Sequence, residues 1–164
     1  MNYFVLNNIR SSWNVGAIMR TCDALKMSII LVGYTPKPIG KTLSMIRKTA
    51  IGAENTVNWE HFENYQLVLN THQKESNNHY GIELDTNSID MFEYLSKPKN
   101  INTKDTNNKN TFLWLGNEIS GLETDLMSNL DVILHLKMLG SKESLNVSNC
   151  ACAAGYLLEY LSNS

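Results

Sequence analysis

Cysteine is scarce in this chain, and what little there is follows no pattern. Only Cys22, Cys150 and Cys152 occur among 164 residues, an odd number with no Cys-x-x-Cys spacing, each in an otherwise apolar stretch. That arrangement argues against a disulfide framework and against zinc, and it predicts reduced thiols in a core. No apolar run is long enough to cross a bilayer, and the start, Met1 to Asn8, lacks the basic flank and long apolar stretch of a signal peptide. The expectation is a cytoplasmic protein with no membrane segment and no metal. Charge of either sign is nearly balanced, at a net −2, which by itself points to no polyanionic partner.

The balance conceals an asymmetry. Up to Lys48, seven basic residues (Arg10, Arg20, Lys26, Lys37, Lys41, Arg47 and Lys48) face Asp23 alone, a net of +6. The remainder carries seven basic and 15 acidic residues, a net of −8. Such a distribution either concentrates phosphates at a local positive field or is simply a solvated basic face; charge alone does not choose.

At 164 residues the chain is the size of one domain and buries roughly two-thirds of its unfolded surface without staples. We read residues 1–164 as a single domain in which strands and helices alternate. Tyr3 to Leu6 and the β-branched run Ser28 to Val32 read as strands around a helix from Asn14, as cap, to about Met27. Helices are expected over Thr42 to Ala50, Phe62 to Gln73, Ile89 to Leu95 with Ser88 as cap, and near Glu123 to Leu130. Further strands are expected at His79 to Leu84, Thr111 to Leu115 and Val132 to Met138. Residues 97–110 are Lys-, Asn-, Asp- and Thr-rich and read as a flexible polar loop. The alternation predicts an α/β fold with a mainly parallel sheet and helices on both faces. The last helix, about Leu145 to Leu161, is apolar almost all round, so it requires two covers. The sheet is one, and the other is either more of the same chain around a central helix or a second copy; with few elements left to wrap it, a homodimer is the favoured expectation.

Three polar corners stand out. They are Asn14-Val15-Gly16-Ala17-Ile18-Met19-Arg20, then Leu115-Gly116-Asn117-Glu118 with Gly121-Leu122, then Gly140 with Ser144-Leu145-Asn146-Val147-Ser148. The latter two join buried-strand patterns to glycine and polar residues, where backbone groups become free to hold a ligand. A fourth stretch, Gly33 to Thr42, ends in Gly-Lys-Thr like a P-loop, but Thr35 stands where that loop needs glycine and two prolines remove backbone donors, so a nucleotide hydrolase is excluded. Lys37 and Lys41 remain candidate phosphate contacts.

In their order and spacing these segments resemble the SPOUT superfamily of methyltransferases, specifically its SpoU or TrmH-type RNA 2′-O-methyltransferases. The resemblance is carried by Asn14, Gly16, Ile18 and Arg20; by Gly116, Asn117, Glu118, Gly121 and Leu122; and by His135-Leu136, Met138, Gly140 and Ser144 to Ser148. It runs over nearly the whole chain, with Lys48 to Glu54 and Trp59-Glu60 similar to members that lack extra RNA-binding domains. One departure is Lys137, where the family usually carries proline; it frees a backbone donor and relaxes one torsion.

The resemblance implies a deep C-terminal trefoil knot (the SPOUT fold) and a pocket for S-adenosylmethionine lined by Leu84, Gly116, Leu136, Met138 and Leu145. It also implies a homodimer through the last helix and transfer of methyl to a ribose hydroxyl of tRNA or rRNA. Arg20, Asn14, Glu118, Ser144 and Asn146 are the implied catalytic set, with Glu118 orienting Arg20 or Asn14. Arg10, Lys37, Lys41, Arg47 and Lys48 are the expected RNA contacts. Gly116 reads as the place where backbone approaches the adenosine. Asn14 either caps its helix or bonds the ribose; Ser144 and Asn146 either cap the last helix or face the nucleotide; His135 reads as a satisfied core histidine. Two alternatives keep the fold: methylation of a base nitrogen, and an RNA-binding protein without catalysis.

Overall fold

The computed structural model describes residues 1–97, 109–142 and 144–162. Most of the polar loop expected over 97–110 lies outside the described residues. Strands β1 (Asn2–Asn7), β2 (Ser28–Val32), β3 (Trp59–Phe62), β4 (Asn77–Ile82), β5 (Ile89–Asp90), β6 (Asn110–Leu115) and β7 (Val132–His135) form one sheet in the order β3-β2-β1-β6-β4-β7-β5. Every pairing is parallel. All carboxyl ends therefore lie along one edge, where open α/β sheets hold their ligands.

Helices α1 (Ser12–Leu25), α2 (Gly40–Ala50), α4 (Met91–Ser96) and α6 (Val147–Ser162) cover one face, while α3 (Tyr65–Thr71) and α5 (Thr124–Ser128) cover the other. Strand alternation decides which residue meets which layer. Phe4, Leu6, Ile29, Leu31, Leu113 and Leu115 pack with Ile18, Ile46, Leu95 and Ala154; Val5, Ile30, Val32, Phe112 and Trp114 pack with Tyr65, Val68 and Leu126. The central strands are buried on both sides, which is why they read as unbroken apolar runs.

Several expected boundaries are corrected. Phe62 ends strand β3 instead of starting a helix, and the helix begins at Tyr65 because the Asn64 side chain caps it, accepting from the Leu67 N–H at 3.1 Å. Ser88 does not cap α4. Asp90 does, accepting from the Glu93 N–H at 2.9 Å, and Ile89–Asp90 pairs with β7 as an edge strand two residues long. Ser11, not Asn14, caps α1, its hydroxyl oxygen accepting from the Asn14 N–H at 3.3 Å. That frees the Asn14 side chain for another partner.

Helix α6 packs beside α1 and α4 and meets the Phe4 side chain of β1 at Gly155. A Cβ at Gly155 would lie 2.8 Å from the Phe4 ring of β1 and 2.7 Å from Leu25 of α1, so a larger residue there would make those side chains shift. Ala151, Ala154 and Leu158 are buried on that side, whereas Tyr156 and Tyr160 are exposed on α6. The sheet layer covers one side of the helix, and within a single chain the other tyrosine-bearing surface faces solvent.

Candidate active site

Three loops leave the carboxyl ends of β4, β6 and β7 and meet the start of α6 around a cavity of about 440 Å³. All five residues expected to hold a cofactor line it: Leu84, Gly116, Leu136, Met138 and Leu145. So do Glu118, Ser144 and Asn146 of the expected catalytic set. His135 also lines the wall, half-buried, its Nδ1 within 3.0 Å of the Ser88 hydroxyl. Lys137 is exposed and does not line the cavity.

Asn14 ties the corners together. Its Nδ2 donates to a Glu118 carboxylate oxygen at 2.9 Å, and its Oδ1 accepts from Asn146 Nδ2 at 3.2 Å. Asn146 in turn accepts from the Ser148 N–H at 2.9 Å, so it both caps α6 and faces Asn14. Glu118 also accepts from the backbone N–H groups of Arg10, at 2.9 Å, and Ser11, at 3.1 Å. Partial burial alone would raise the Glu118 carboxyl; the hydrogen bonds from Arg10, Asn14 and Ser11 outweigh it and hold the group below its ordinary value. The carboxylate is thus a fixed anion that orients α1 from outside its own loop.

The loop after β6 is closed on itself. Asn117 and Gly121 exchange two backbone hydrogen bonds, and the Asn117 side-chain oxygen accepts from the Ile119 N–H at 2.8 Å. Gly116 is required by this closure: a Cβ there would stand 2.2 Å from the Gly121 carbonyl carbon and 2.3 Å from the Leu122 nitrogen. The space beside Gly116 is filled by the chain's own backbone, a reason for glycine that the expected approach to an adenosine did not include.

One wall residue escaped the sequence reading. Glu83 directly follows β4, lines the cavity, and accepts from the Leu122 N–H at 2.9 Å and from the Leu84 N–H at 3.1 Å. Its position at a strand's carboxyl end was the available signal. Across the cavity, burial, assisted by the Glu83 charge, pushes the Cys150 thiol up to about 11, so it is a neutral part of the wall.

Arg20 is elsewhere. It is exposed and lines a second, shallow hollow with Thr21, Lys48 and Tyr156. Of the two partners expected for Glu118, the structure joins it to Asn14, and among the described residues Arg20 forms no ion pair. The expected RNA contacts are spread over the same third of the chain. Arg10, Lys41, Arg47 and Lys48 are exposed and Lys37 is half-buried. Arg47 is partly committed, its Nε 3.1 Å from the almost fully buried Glu54 carboxylate. Among the described residues no group of three His, Cys, Asp or Glu could hold a metal ion, and no helix is long and apolar enough to cross a membrane.

Residues 1–156 match the model of the SpoU rRNA Methylase family. An uncharacterized tRNA/rRNA methyltransferase of Borreliella burgdorferi is 31% identical over 144 residues, which is 88% of this chain and 57% of that protein. The chain thus spans a little over half the length of that curated relative. The SpoU methyltransferase AviRb of Streptomyces viridochromogenes, solved with AdoMet, superposes with a TM-score of 0.80 at 21% identity, covering 99% of this chain and 58% of that one. A structure concerned with 2-OH methylation of C/U34 on tRNA also gives 0.80 at 17% identity, covering 99% of this chain and 96% of that one. At those identities both likenesses concern the fold.

Proposed function

The chain belongs to the SpoU rRNA methylase family, and from that premise we propose that it transfers a methyl group from S-adenosylmethionine to a ribose 2′-hydroxyl of tRNA or rRNA. The observation that carries this reading is the continuous hydrogen-bonded path from Glu118 through Asn14 to Asn146, which joins all three motifs at the mouth of one cavity. Relatives of known structure support both parts: one was solved with AdoMet and another concerns methylation of a 2-OH on tRNA.

The cavity suits such a donor. Leu84, Leu136, Met138 and Leu145 provide apolar surface for the adenosine, and the carboxylates of Glu83 and Glu118 favour a ligand carrying positive charge. When bound, the cofactor supplies an electrophilic methyl whose departure leaves a neutral thioether, so no metal is needed. The protein's work is alignment, and alignment alone supplies roughly 7 to 11 kcal/mol in favourable cases. Glu118 holds Asn14, and Asn14 and Asn146 present their amides to the ribose. Ser144, exposed at the cavity, offers a further hydroxyl.

Arg20 polarises the attacking hydroxyl and binds the adjacent phosphate; a guanidinium keeps its proton in proteins and is therefore a poor base. Its hollow is bordered by Tyr156 of α6, the helix we assign to the homodimer interface, so Arg20 stands at a subunit boundary. In this reading the polypeptide after β7 passes through a knot, which is supported by the way the loops after β4, β6 and β7 crowd one cavity with the start of α6. We read residues 1–164 as one domain and assign the protein to the cytoplasm, a reading that a tRNA or rRNA substrate supports.

The test is transfer of labelled methyl groups from S-adenosylmethionine to total RNA, followed by digestion to nucleosides. A 2′-O-methylated nucleoside is expected. Label on a base assigns the protein to base methylation instead, and a protein that neither transfers the label nor binds S-adenosylmethionine is read as an RNA-binding protein without catalysis. Arg20→Ala is expected to lower kcat at least about 100-fold while the Kd for S-adenosylmethionine stays within about twofold; a variant with normal turnover removes Arg20 from the mechanism.

A further inference from the structure

We propose that Tyr34 is a stacking platform for an unpaired base of the substrate RNA beside the ribose that receives the methyl group, an inference that rests on the ribose-methylation reading. Tyr34 follows β2 at the carboxyl edge of the sheet and is 60% exposed although it carries a large ring. An exposed aromatic is ordinarily free to move. This one is held at both ends: its backbone N–H donates to Asn8 Oδ1 at 3.4 Å, and its hydroxyl accepts from Asn117 Nδ2. Asn117 is itself fixed, donating to the Asn8 carbonyl at 2.9 Å, and it lines the cofactor cavity next to Glu118. A single backbone step therefore links the residue that tethers the ring to the residue that orients Asn14.

Charges of both signs lie near it: Glu123 accepts from Asn8 Nδ2 at 3.1 Å, and the cations belong to the segments on either side of the ring. Arg10 is exposed and its backbone N–H lies on Glu118, while Lys37 is three residues beyond Tyr34. A fixed ring in the basic first third of the chain offers a π-face for the base, with Arg10 and Lys37 close in sequence to its two anchoring segments as the cations for the phosphates. Because the ring is ordered before the RNA arrives, binding loses less side-chain entropy. Every base has a π-face, so this surface places the strand without reading its sequence.

The experiment compares wild type, Tyr34→Phe and Tyr34→Ala in steady-state methylation of an RNA that wild type modifies, together with cofactor affinity and sedimentation of each variant. Tyr34→Ala is expected to raise the KM for RNA about tenfold, the fold-change of about 1.4 kcal/mol of stacking, with the Kd for S-adenosylmethionine unchanged. Tyr34→Phe keeps the ring and should stay within about twofold of wild-type KM. An unchanged KM in Tyr34→Ala overturns the proposal. So does a Phe variant as impaired as Ala, which would make the bond to Asn117 the working element, or an Ala variant that loses cofactor affinity or changes its oligomeric state. Wild-type protein that methylates no ribose would instead sink the reading on which the proposal rests.

Discussion

Asn14 sits between Glu118 and Asn146, and its amide has only one consistent orientation there. A carboxylate accepts and never donates, so Nδ2 must face Glu118, leaving Oδ1 for the Asn146 amide. Sequence order alone placed Asn14 equally well as a helix cap, a role Ser11 takes. Gly116 was legible as a position that needs glycine, but its reason lay in the backbone of Gly121 and Leu122, which no local pattern reveals. Gly116→Ala should therefore force the loop open: we expect at least a tenfold loss of S-adenosylmethionine affinity by calorimetry, with a fall in unfolding free energy of about 1–3 kcal/mol typical of overpacking. Wild-type affinity in that variant would mean the loop yields without consequence.

At the level of elements, β4 carries a buried histidine whose protonation the fold resists. His79 Nδ1 accepts from the Trp114 indole at 3.0 Å, its Nε2 lies 2.6 Å from the His72 carbonyl, and its ring stacks on Phe112. Desolvation is the main reason its pKa falls below the ordinary 6.5, and half-buried His72 is shifted the same way. Because the unfolded chain takes up protons first, the stabilisation from these groups is complete above pH 6.5 and is lost as pH falls through their folded values. Glu118, also depressed, adds a separate loss below its ordinary 4.5. Urea midpoints should thus decline between pH 7.5 and 5, and His79→Gln, which cannot gain a charge, should flatten part of that decline. A slope unchanged in the variant would assign the loss to other groups. The edge strands β3 and β5 were the elements hardest to read. A four-residue strand whose residues are half-buried or exposed and a two-residue bridge lack the apolar run that marked β2 and β6, and their pairing comes from neighbours distant in sequence.

The whole molecule is defined by how α6 is used. One side is buried against α1, α4 and the sheet, with Gly155 against Phe4 and Leu25, while Tyr156 borders the hollow that holds Arg20. If a second copy covers that surface, the protein should sediment as a dimer, and Tyr156→Asp should yield folded monomers that bind S-adenosylmethionine and fail to methylate RNA. A monomeric wild type with full activity would show that Arg20 works without a subunit boundary.

Local sequence determined the strands β1, β2 and β6, their burial on two faces, and the order of the three motif segments. Those follow from apolar runs and side-chain alternation, which operate over a few residues. Only the tertiary structure decided that Asn14 bonds Glu118 across 104 residues and Asn146 across 132, and that Arg20 lies apart from the cavity. Such contacts depend on the lateral order of parallel strands, and that order is set by packing the whole chain, which no segment encodes by itself.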